Sequence, residues 1–157
     1  MMTDTQEIIK DLVKDRYPGI RPFKKGESEL FFGRNTEVEE LLHSIKVHDT
    51  LVLYSKSGLG KSSLVNAGLI PRLLEENIFP IDIRFLSTEE SPYQKIISEV
   101  KACIPEEVLS AIPETFRENL WVLLNHWHRN ETPVLIFDQF EEFFYYSQAM
   151  QAETISK

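Results

Sequence analysis

Three short stretches of the chain have the length and apolar content of buried strands. They are LVLY at 51–54, IDIRFL at 81–86 and PVLIFD at 133–138. The first and third are apolar almost throughout, which is the pattern of strands that are covered on both faces of a parallel sheet. The sequence therefore predicts three strands in these places.

Between and around these runs, apolar residues recur at helical spacing. A first helix is predicted at about residues 4–15, and three more follow capping signals: Thr36 with Glu39, Ser91 with Gln94, and Thr115 with Glu118. Pro92 stands at the first helical position after Ser91, where proline is favoured. Strands that alternate with helices indicate an α/β domain. We expect an N-terminal helix over 1–16, a core over 17–150 and a frayed end over 151–157.

Composition and charge narrow the classes of function. The net charge of −8 is spread along the chain, which argues against direct binding of nucleic acid, because that requires a basic face. No apolar run approaches the roughly 18 residues of a membrane span, and the N-terminus is not a secretory signal, so a cytoplasmic protein with no membrane partner is expected. The single cysteine, Cys103, excludes an intramolecular disulfide and a CxxC metal site.

The segment SKSGLGKS, residues 55–62, is called here the glycine loop. It nearly matches the phosphate-binding pattern GxxxxGK[ST], and it follows a predicted strand and precedes a predicted helix. Gly58 and Gly60 allow unusual dihedral angles and a close approach of backbone N–H groups to phosphates. Ser55 replaces the first glycine of the pattern, and we expect this substitution to be tolerated because it falls where the strand turns into the loop.

The residues after the second glycine carry the specific chemistry of such a loop. Lys61 would reach the β and γ phosphates, the Ser62 hydroxyl would ligate Mg²⁺, and Ser63 would touch the α phosphate. The competing interpretation is a Gly/Ser turn that contains a lysine by chance. The strand, loop and helix context favours the phosphate loop.

A second acidic motif, VLIFDQFEEFF, begins at Val134. Asp138 follows four apolar residues and is predicted at the carboxyl end of its strand, where a carboxylate can hold Mg²⁺. Glu141 or Glu142 could orient or deprotonate water, and their spacing does not choose between them. The alternative is an acidic helix start. The chain has no guanine-reading N-K-x-D motif and no recognisable arginine-bearing kinase lid, which favours ATP.

Four blocks of the sequence together resemble a known family. They are YPGIRPF (17–23), ELFFGRNTEVEELL (29–42), LVLYSKSGLGKSSLVNAGLIPRL (51–73) and PVLIFDQFEEFF (133–144). In this order they resemble the prokaryotic STAND NTPases, and more narrowly the novel STAND group on the N-terminal side of large multidomain signalling and defence ATPases. The resemblance runs from about Tyr17 to Phe144.

The resemblance implies a set of site residues. Nucleotide contacts are expected from two segments. The first is FFGR, with Phe32 and Arg34, and the second is the glycine loop with the residue after it: Ser57, Gly58, Leu59, Gly60, Lys61, Ser62 and Ser63. Asp138 corresponds to the Walker B aspartate, with Ser62 and Asp138 as metal ligands, Glu142 as the best match to the last acid of the motif, and Glu141 as a further catalytic candidate. Two departures are Ser55, where glycine is usual, and Asn35, which replaces the first acid of GRExE.

The family's fold is a three-layer P-loop NTPase with a mostly parallel sheet, in which a further strand lies between the P-loop and Walker B strands. No apolar run follows Asp138 to supply that strand. We therefore expect this chain to be an N-terminal part of a longer ATPase, or to be completed by another chain. The alternatives are a shortened stand-alone homologue and a sheet in which the first and third predicted strands pair directly.

The resemblance implies an ATP/Mg²⁺-binding part of a signalling switch in bacterial defence or regulation, which exchanges ATP and ADP and passes its signal by self-association or through a protein partner. Alone, the chain is expected to be a weak or inactive ATPase. The alternative is a non-hydrolysing interaction module that pairs with itself or a larger partner through the aromatic segment FEEFFYY, 140–146. A metabolite kinase is a third hypothesis.

Overall fold

The computed structural model of the chain describes residues 21–85, 90–127 and 130–157. The helix predicted at 4–15 lies outside these residues. The chain divides into two compact units, Met1–Arg72 and Leu73–Lys157, and each is described by itself.

The first unit is helical where the structure describes it. A 3-10 helix spans Lys25–Leu30 and helix α1 spans Asn35–Val47. After the glycine loop, helix α2 (Lys61–Ser63) continues into a π-helix (Leu64–Leu69) and then into helix α3 (Ile70–Glu75), of which residues 73–75 are counted in the second unit. The buried apolar residues of this unit come mainly from α1 and the π-helix: Val38, Leu42, Leu64, Ala67, Leu69 and Ile70.

The π-helix coincides with a proline in the helical sequence. Pro71 has no N–H to donate to the carbonyl of Ala67, and its ring would crowd that carbonyl in a regular α-helix. The N–H of Ile70 instead donates to the carbonyl of Val65, five residues back. The local widening therefore lets one helical segment run through Pro71.

The strand predicted at LVLY, 51–54, is wrong. These residues form no strand, and the exposed fractions of Leu51, Val52, Leu53 and Tyr54 are 41%, 76%, 39% and 88%. A strand is stabilised by hydrogen bonds to a neighbour. The sheet in the described parts of the chain has two strands, and neither contains this segment.

The second unit contains that two-stranded sheet. Strand β1 spans Ile78–Arg84 and strand β2 spans Thr132–Asp138. They are parallel, in a register that pairs Ile78 with Thr132 and Arg84 with Asp138. The predicted strand at 133–138 is confirmed, and the one predicted at 81–86 begins earlier, at Ile78.

Helices connect and follow the two strands. They are α4 (Pro92–Ala102), α5 (Glu106–Ala111), a 3-10 helix (Glu114–Phe116) and α6 (Leu120–Asn125) before β2, then a 3-10 helix (Phe140–Tyr145) and α7 (Gln148–Ser156) after it. Residues 151–156, expected to be a frayed end, lie in α7. The architecture is mixed helix and strand with a small parallel sheet, which is compatible with the predicted α/β class.

Burial differs between the two strands. In β1, Ile81 and Ile83 are buried whereas Asp82 and Arg84 are exposed, so one face of the strand packs on the core. The expectation that PVLIFD would be buried on both faces is wrong: residues 134–136 are only half-buried and Phe137 is 38% exposed. A strand is fully covered only when neighbours flank it and layers cover both faces, and within the described residues β2 pairs with β1 alone.

The core of the second unit lies between β1 and the helices. Its fully buried side chains include Ile81, Ile83, Phe85, Ile97, Val100, Ile112 and Leu123. Phe85 is also the centre of an aromatic cluster, with ring centroids 5.8–6.1 Å from those of Phe137, Phe140, Phe143 and Tyr146. This cluster packs the segment after β2 against the end of β1.

No helix in the described ranges is both long and apolar enough to cross a bilayer.

Candidate functional site

The glycine loop has the backbone geometry of a turn that opens into a helix. Gly58 and Gly60 have φ of +82° and +76°, a region that side chains disfavour. Helix α2 begins directly after Gly60, whose carbonyl accepts the N–H of Leu64 at 2.8 Å. Residues 57 and 58 lie in a hydrogen-bonded turn, and within the described residues no backbone carbonyl accepts the N–H groups of residues 56–58. The loop therefore presents backbone donors at a helix N-terminus, where anions are stabilised.

Lys61 folds back over the loop. Its Nζ donates a hydrogen bond to the carbonyl oxygen of Ser55 at 2.9 Å. The contact joins the two ends of the glycine loop.

Ser55 itself is not strained. Among the described residues other than glycine, only Asn77 and Gln139 have positive φ, so position 55 does not require glycine. The group of Ser55 that Lys61 contacts is the backbone carbonyl, which any residue supplies, and the Ser55 hydroxyl adds a hydrogen bond to the carbonyl of Lys56 at 3.3 Å. This explains why the glycine usual at this position can be a serine here.

Arg34 of FFGR lies against the glycine loop. Its Nη1 donates to the carbonyl of Leu59 at 3.0 Å, and its Nε donates to Glu37 Oε1 at 3.1 Å. A hydrogen bond from the backbone N–H of Glu37 itself, and then that from Arg34, hold the pKa of the Glu37 carboxyl below its usual value. Helix α1 thus fixes Arg34 through Glu37, and Arg34 supports the loop one residue before Gly60.

The other site residues predicted in this unit differ in their exposure and in their hydrogen bonds. The side chains of Phe32 and Leu59 are 79% and 59% exposed, and Ser57 is exposed as well. Ser62 is the second residue of α2. The hydroxyl oxygen of Ser63 accepts the backbone N–H of Phe23 at 3.1 Å.

The segment before the 3-10 helix is a part of this neighbourhood that sequence reasoning missed. Arg21 forms two hydrogen bonds with the carboxylate of Glu27, at 2.7 and 2.9 Å. Together with the N–H of Lys24, which donates at 2.8 Å, this holds the pKa of Glu27 at about 2. The spacing of Arg21 and Glu27 was visible in the sequence, but an i,i+6 pair has no helical interpretation.

The acidic residues predicted after β2 belong to the second unit. Asp138 is the last residue of β2 and is half-buried. Glu141 and Glu142 lie in the following 3-10 helix, Glu141 exposed and Glu142 half-buried, with the N–H of Glu142 donating to the carbonyl of Gln139 at 2.9 Å. Carboxylate oxygens, as at Asp138, and hydroxyl oxygens, as at Ser62 of the first unit, are each hard donors of the kind that Mg²⁺ prefers.

Two further residues at the end of the sheet were not predicted. Gln139, directly after Asp138, has φ of +55° and ψ of +47°, which is the left-handed region. Its side-chain oxygen accepts hydrogen bonds from Nε of Arg84, at 2.8 Å, and from Nη2 of the same guanidinium. Because the two residues are far apart in the sequence, only the register of β1 and β2 brings them together.

Comparison with known proteins agrees with these local features. The family model described as Novel STAND NTPase 1 matches residues 17–156. Searches of curated proteins and of solved structures returned no match. The family match covers nearly the whole chain and includes FFGR, the glycine loop and the acidic motif after β2. The chain belongs to the novel STAND NTPase 1 family, and it is a STAND-type NTPase module.

Proposed function

We propose that this chain binds ATP with Mg²⁺ as the nucleotide-binding part of a STAND-type signalling switch of bacterial defence or regulation. In this proposal, residues 17–150 are the NTPase core of a three-layer P-loop fold. Exchange of ADP for ATP changes the state of the switch, and self-association or a protein partner transmits it.

The observation that carries the proposal is the closed glycine loop. Two left-handed glycines, a helix that begins at Lys61 and the Lys61–Ser55 contact occur together in one short segment. Phosphate oxygens would replace the Ser55 carbonyl as the partner of Lys61, since an ammonium group binds an anion more strongly than a neutral carbonyl. The backbone N–H groups of the loop would bind the remaining phosphate oxygens.

The other residues have roles that follow from their chemistry. Arg34 holds the loop through the Leu59 carbonyl, and Ser62 and Asp138 would supply the oxygen ligands for Mg²⁺. When bound, Mg²⁺ neutralises phosphate charge. Between the two glutamates, we assign the orientation of water to Glu142, which matches the last acid of the family's motif. ATP is preferred over GTP because no guanine-reading motif is present.

The first prediction concerns Lys61. The substitution Lys61→Ala removes the ammonium group that would bind phosphate oxygens. It is expected to weaken ATP–Mg²⁺ binding about tenfold to a hundredfold, because a hydrogen bond to a charged group contributes roughly 1.5–3 kcal/mol. Isothermal titration calorimetry of the 157-residue chain with ATP, ADP and GTP measures this directly.

Lys56→Ala is the matched control. It removes the same charge from the same loop but leaves the contact between Lys61 and Ser55 intact. We expect a smaller loss of affinity than in Lys61→Ala. Equal affinities for ATP in the wild-type chain and Lys61→Ala would reject the proposed site.

A second candidate function is a non-hydrolysing interaction module, and one observation favours it. In the 3-10 helix after β2, Phe140, Phe144 and Tyr145 are 45%, 67% and 75% exposed. Exposed aromatic side chains in one short segment are typical of protein interfaces.

Phe144→Ser combined with Tyr145→Ser tests this candidate. If the segment mediates pairing, sedimentation equilibrium shows an association of the wild-type chain that the double variant weakens by at least tenfold. Trp121→Ser is the control, because Trp121 is a comparably exposed aromatic residue on α6. A wild-type chain that stays monomeric at high concentration excludes pairing with itself.

A further inference from the structure

We infer that Arg84 is a positioning residue for Asp138, acting through Gln139. The inference rests on the proposed function, because it assigns to Arg84 a part in the Mg²⁺ dependence of nucleotide binding. All the residues concerned lie at the carboxyl ends of the two parallel strands of the second unit.

The first step is the backbone at Gln139. A non-glycine residue in the left-handed region is energetically unfavourable and persists where surrounding contacts hold it. Gln139 lies between the last strand residue, Asp138, and the 3-10 helix that carries Glu141 and Glu142. Its conformation therefore sets the direction in which the chain leaves Asp138.

The second step is the contact that holds this turn. The guanidinium of Arg84 donates from both Nε and Nη2 to Oε1 of Gln139. A charged donor with two N–H groups directed at one oxygen restricts the glutamine side chain more than a single neutral bond would. From the other side, the carbonyl of Gln139 accepts the N–H of Glu142 at 2.9 Å.

The third step is the register. Arg84 is the cross-strand partner of Asp138, so the arginine is anchored on the neighbouring strand at the level of the carboxylate that it would position. Arg84 and Gln139 are both exposed. A solvent-exposed link of this kind contributes little to overall stability, which leaves the orientation of the turn as its main effect.

The consequence is a defined role without contact to the nucleotide. Residues that orient a metal ligand typically change metal affinity or activity 10- to 100-fold when they are removed. Loss of Arg84 should therefore reduce the gain in nucleotide affinity that Mg²⁺ provides, and it should leave binding of the metal-free nucleotide unchanged.

The test compares ATP dissociation constants in EDTA and in saturating Mg²⁺ for the full chain and its variants. The affinity ratio is the dissociation constant in EDTA divided by the dissociation constant in Mg²⁺. In Arg84→Ala this ratio is expected to fall about tenfold, while the constant in EDTA stays at the wild-type value. Arg84→Lys, which retains one charged donor, should give an intermediate ratio. Gln139→Ala should reproduce Arg84→Ala, and the double variant should show no further loss, because both changes break the same link.

A second readout does not depend on nucleotide. The backbone N–H of Glu142 donates a hydrogen bond to the carbonyl of Gln139, and its hydrogen exchange should accelerate in Arg84→Ala. Lys101→Ala is the control, since it removes a cation and its hydrogen bond to Glu118 from helix α4 of the same unit. It should change neither the affinity ratio nor the exchange of Glu142.

The outcomes separate this inference from the proposed function. A wild-type chain that binds Mg²⁺–ATP, with an unchanged affinity ratio in Arg84→Ala, overturns the role of Arg84 and leaves the proposed function standing. An equal loss of affinity with and without Mg²⁺ also overturns it, because that pattern indicates a general structural defect. A wild-type chain that binds no nucleotide overturns the proposed function, and the inference with it.

Discussion

At the scale of single residues, glycines in this chain serve different purposes that the sequence does not distinguish. Gly58 and Gly60 provide positive φ in the glycine loop. Gly68, in the π-helix, allows a close approach instead: a Cβ there would lie 2.6 Å from Val38 Cγ2 and 3.0 Å from Phe31 Cε1. Gly68 therefore belongs to the packing of the first unit, a role that no motif indicated.

Gly68→Ala is predicted to destabilise the protein. Overpacking a core usually costs about 1–3 kcal/mol, and alanine returns up to about 1 kcal/mol through its higher helix propensity. We expect a net loss of about 1–2 kcal/mol in the free energy of unfolding, measured by urea denaturation followed by far-UV circular dichroism.

Gly26→Ala is the matched control. Gly26 lies in the 3-10 helix Lys25–Leu30, its φ is not positive, and a Cβ there meets nothing within 4 Å. Its effect should stay within about 0.5 kcal/mol. If both substitutions shift the urea midpoint equally, the close approach at Gly68 is not what requires glycine.

At the scale of elements, a helix cap was predicted correctly where the helix begins directly after the residue with the capping signal. Ser91 caps α4 as expected, its hydroxyl accepting the N–H of Gln94 at 3.2 Å. The predicted cap at Thr36 is wrong, because α1 already begins at Asn35.

The cap predicted at Thr115 is also wrong. That residue lies in a 3-10 helix, and α6 starts only at Leu120, capped by Asn119. The hydroxyl of Tyr93 donates to the Glu118 carbonyl at 2.8 Å and accepts the N–H of Leu120 at 3.3 Å. These tertiary contacts hold the chain in a break between two helices that the local pattern could not reveal.

Ser91→Ala tests the cap that the sequence predicted correctly. Loss of an N-cap serine costs about 1 kcal/mol, so the free energy of unfolding should fall by that amount. Ser98→Ala is the control within the same helix: the Ser98 hydroxyl donates to the carbonyl of Lys95, and alanine is the better helix former. Ser98→Ala should be neutral or slightly stabilising, and equal losses in both variants would argue against the cap.

At the scale of the whole molecule, the chain forms two compact units, and the candidate residues are distributed over both. The glycine loop, Arg34 and the Arg21–Glu27 pair belong to the first, and Asp138, Glu142 and Arg84 to the second. The family match, over residues 17–156, includes residues of both units.

The sequence by itself determined the features that depend on local chemistry. The glycine loop, the strand that ends at Asp138, the Ser91 cap and the family were all readable, because each is encoded within one short segment or in the order of such segments.

Only the tertiary structure decided the features that need partners distant in the chain. The apolar run 51–54 forms no strand, because a strand depends on a neighbour as well as on its own composition. Three such features depend on contacts between separate elements. They are the close approach of Gly68 to Val38, the hydrogen bond from Tyr93 to the Glu118 carbonyl, and the hydrogen bond from Arg84 to Gln139. Such contacts form only when whole elements pack, and no local pattern specifies them.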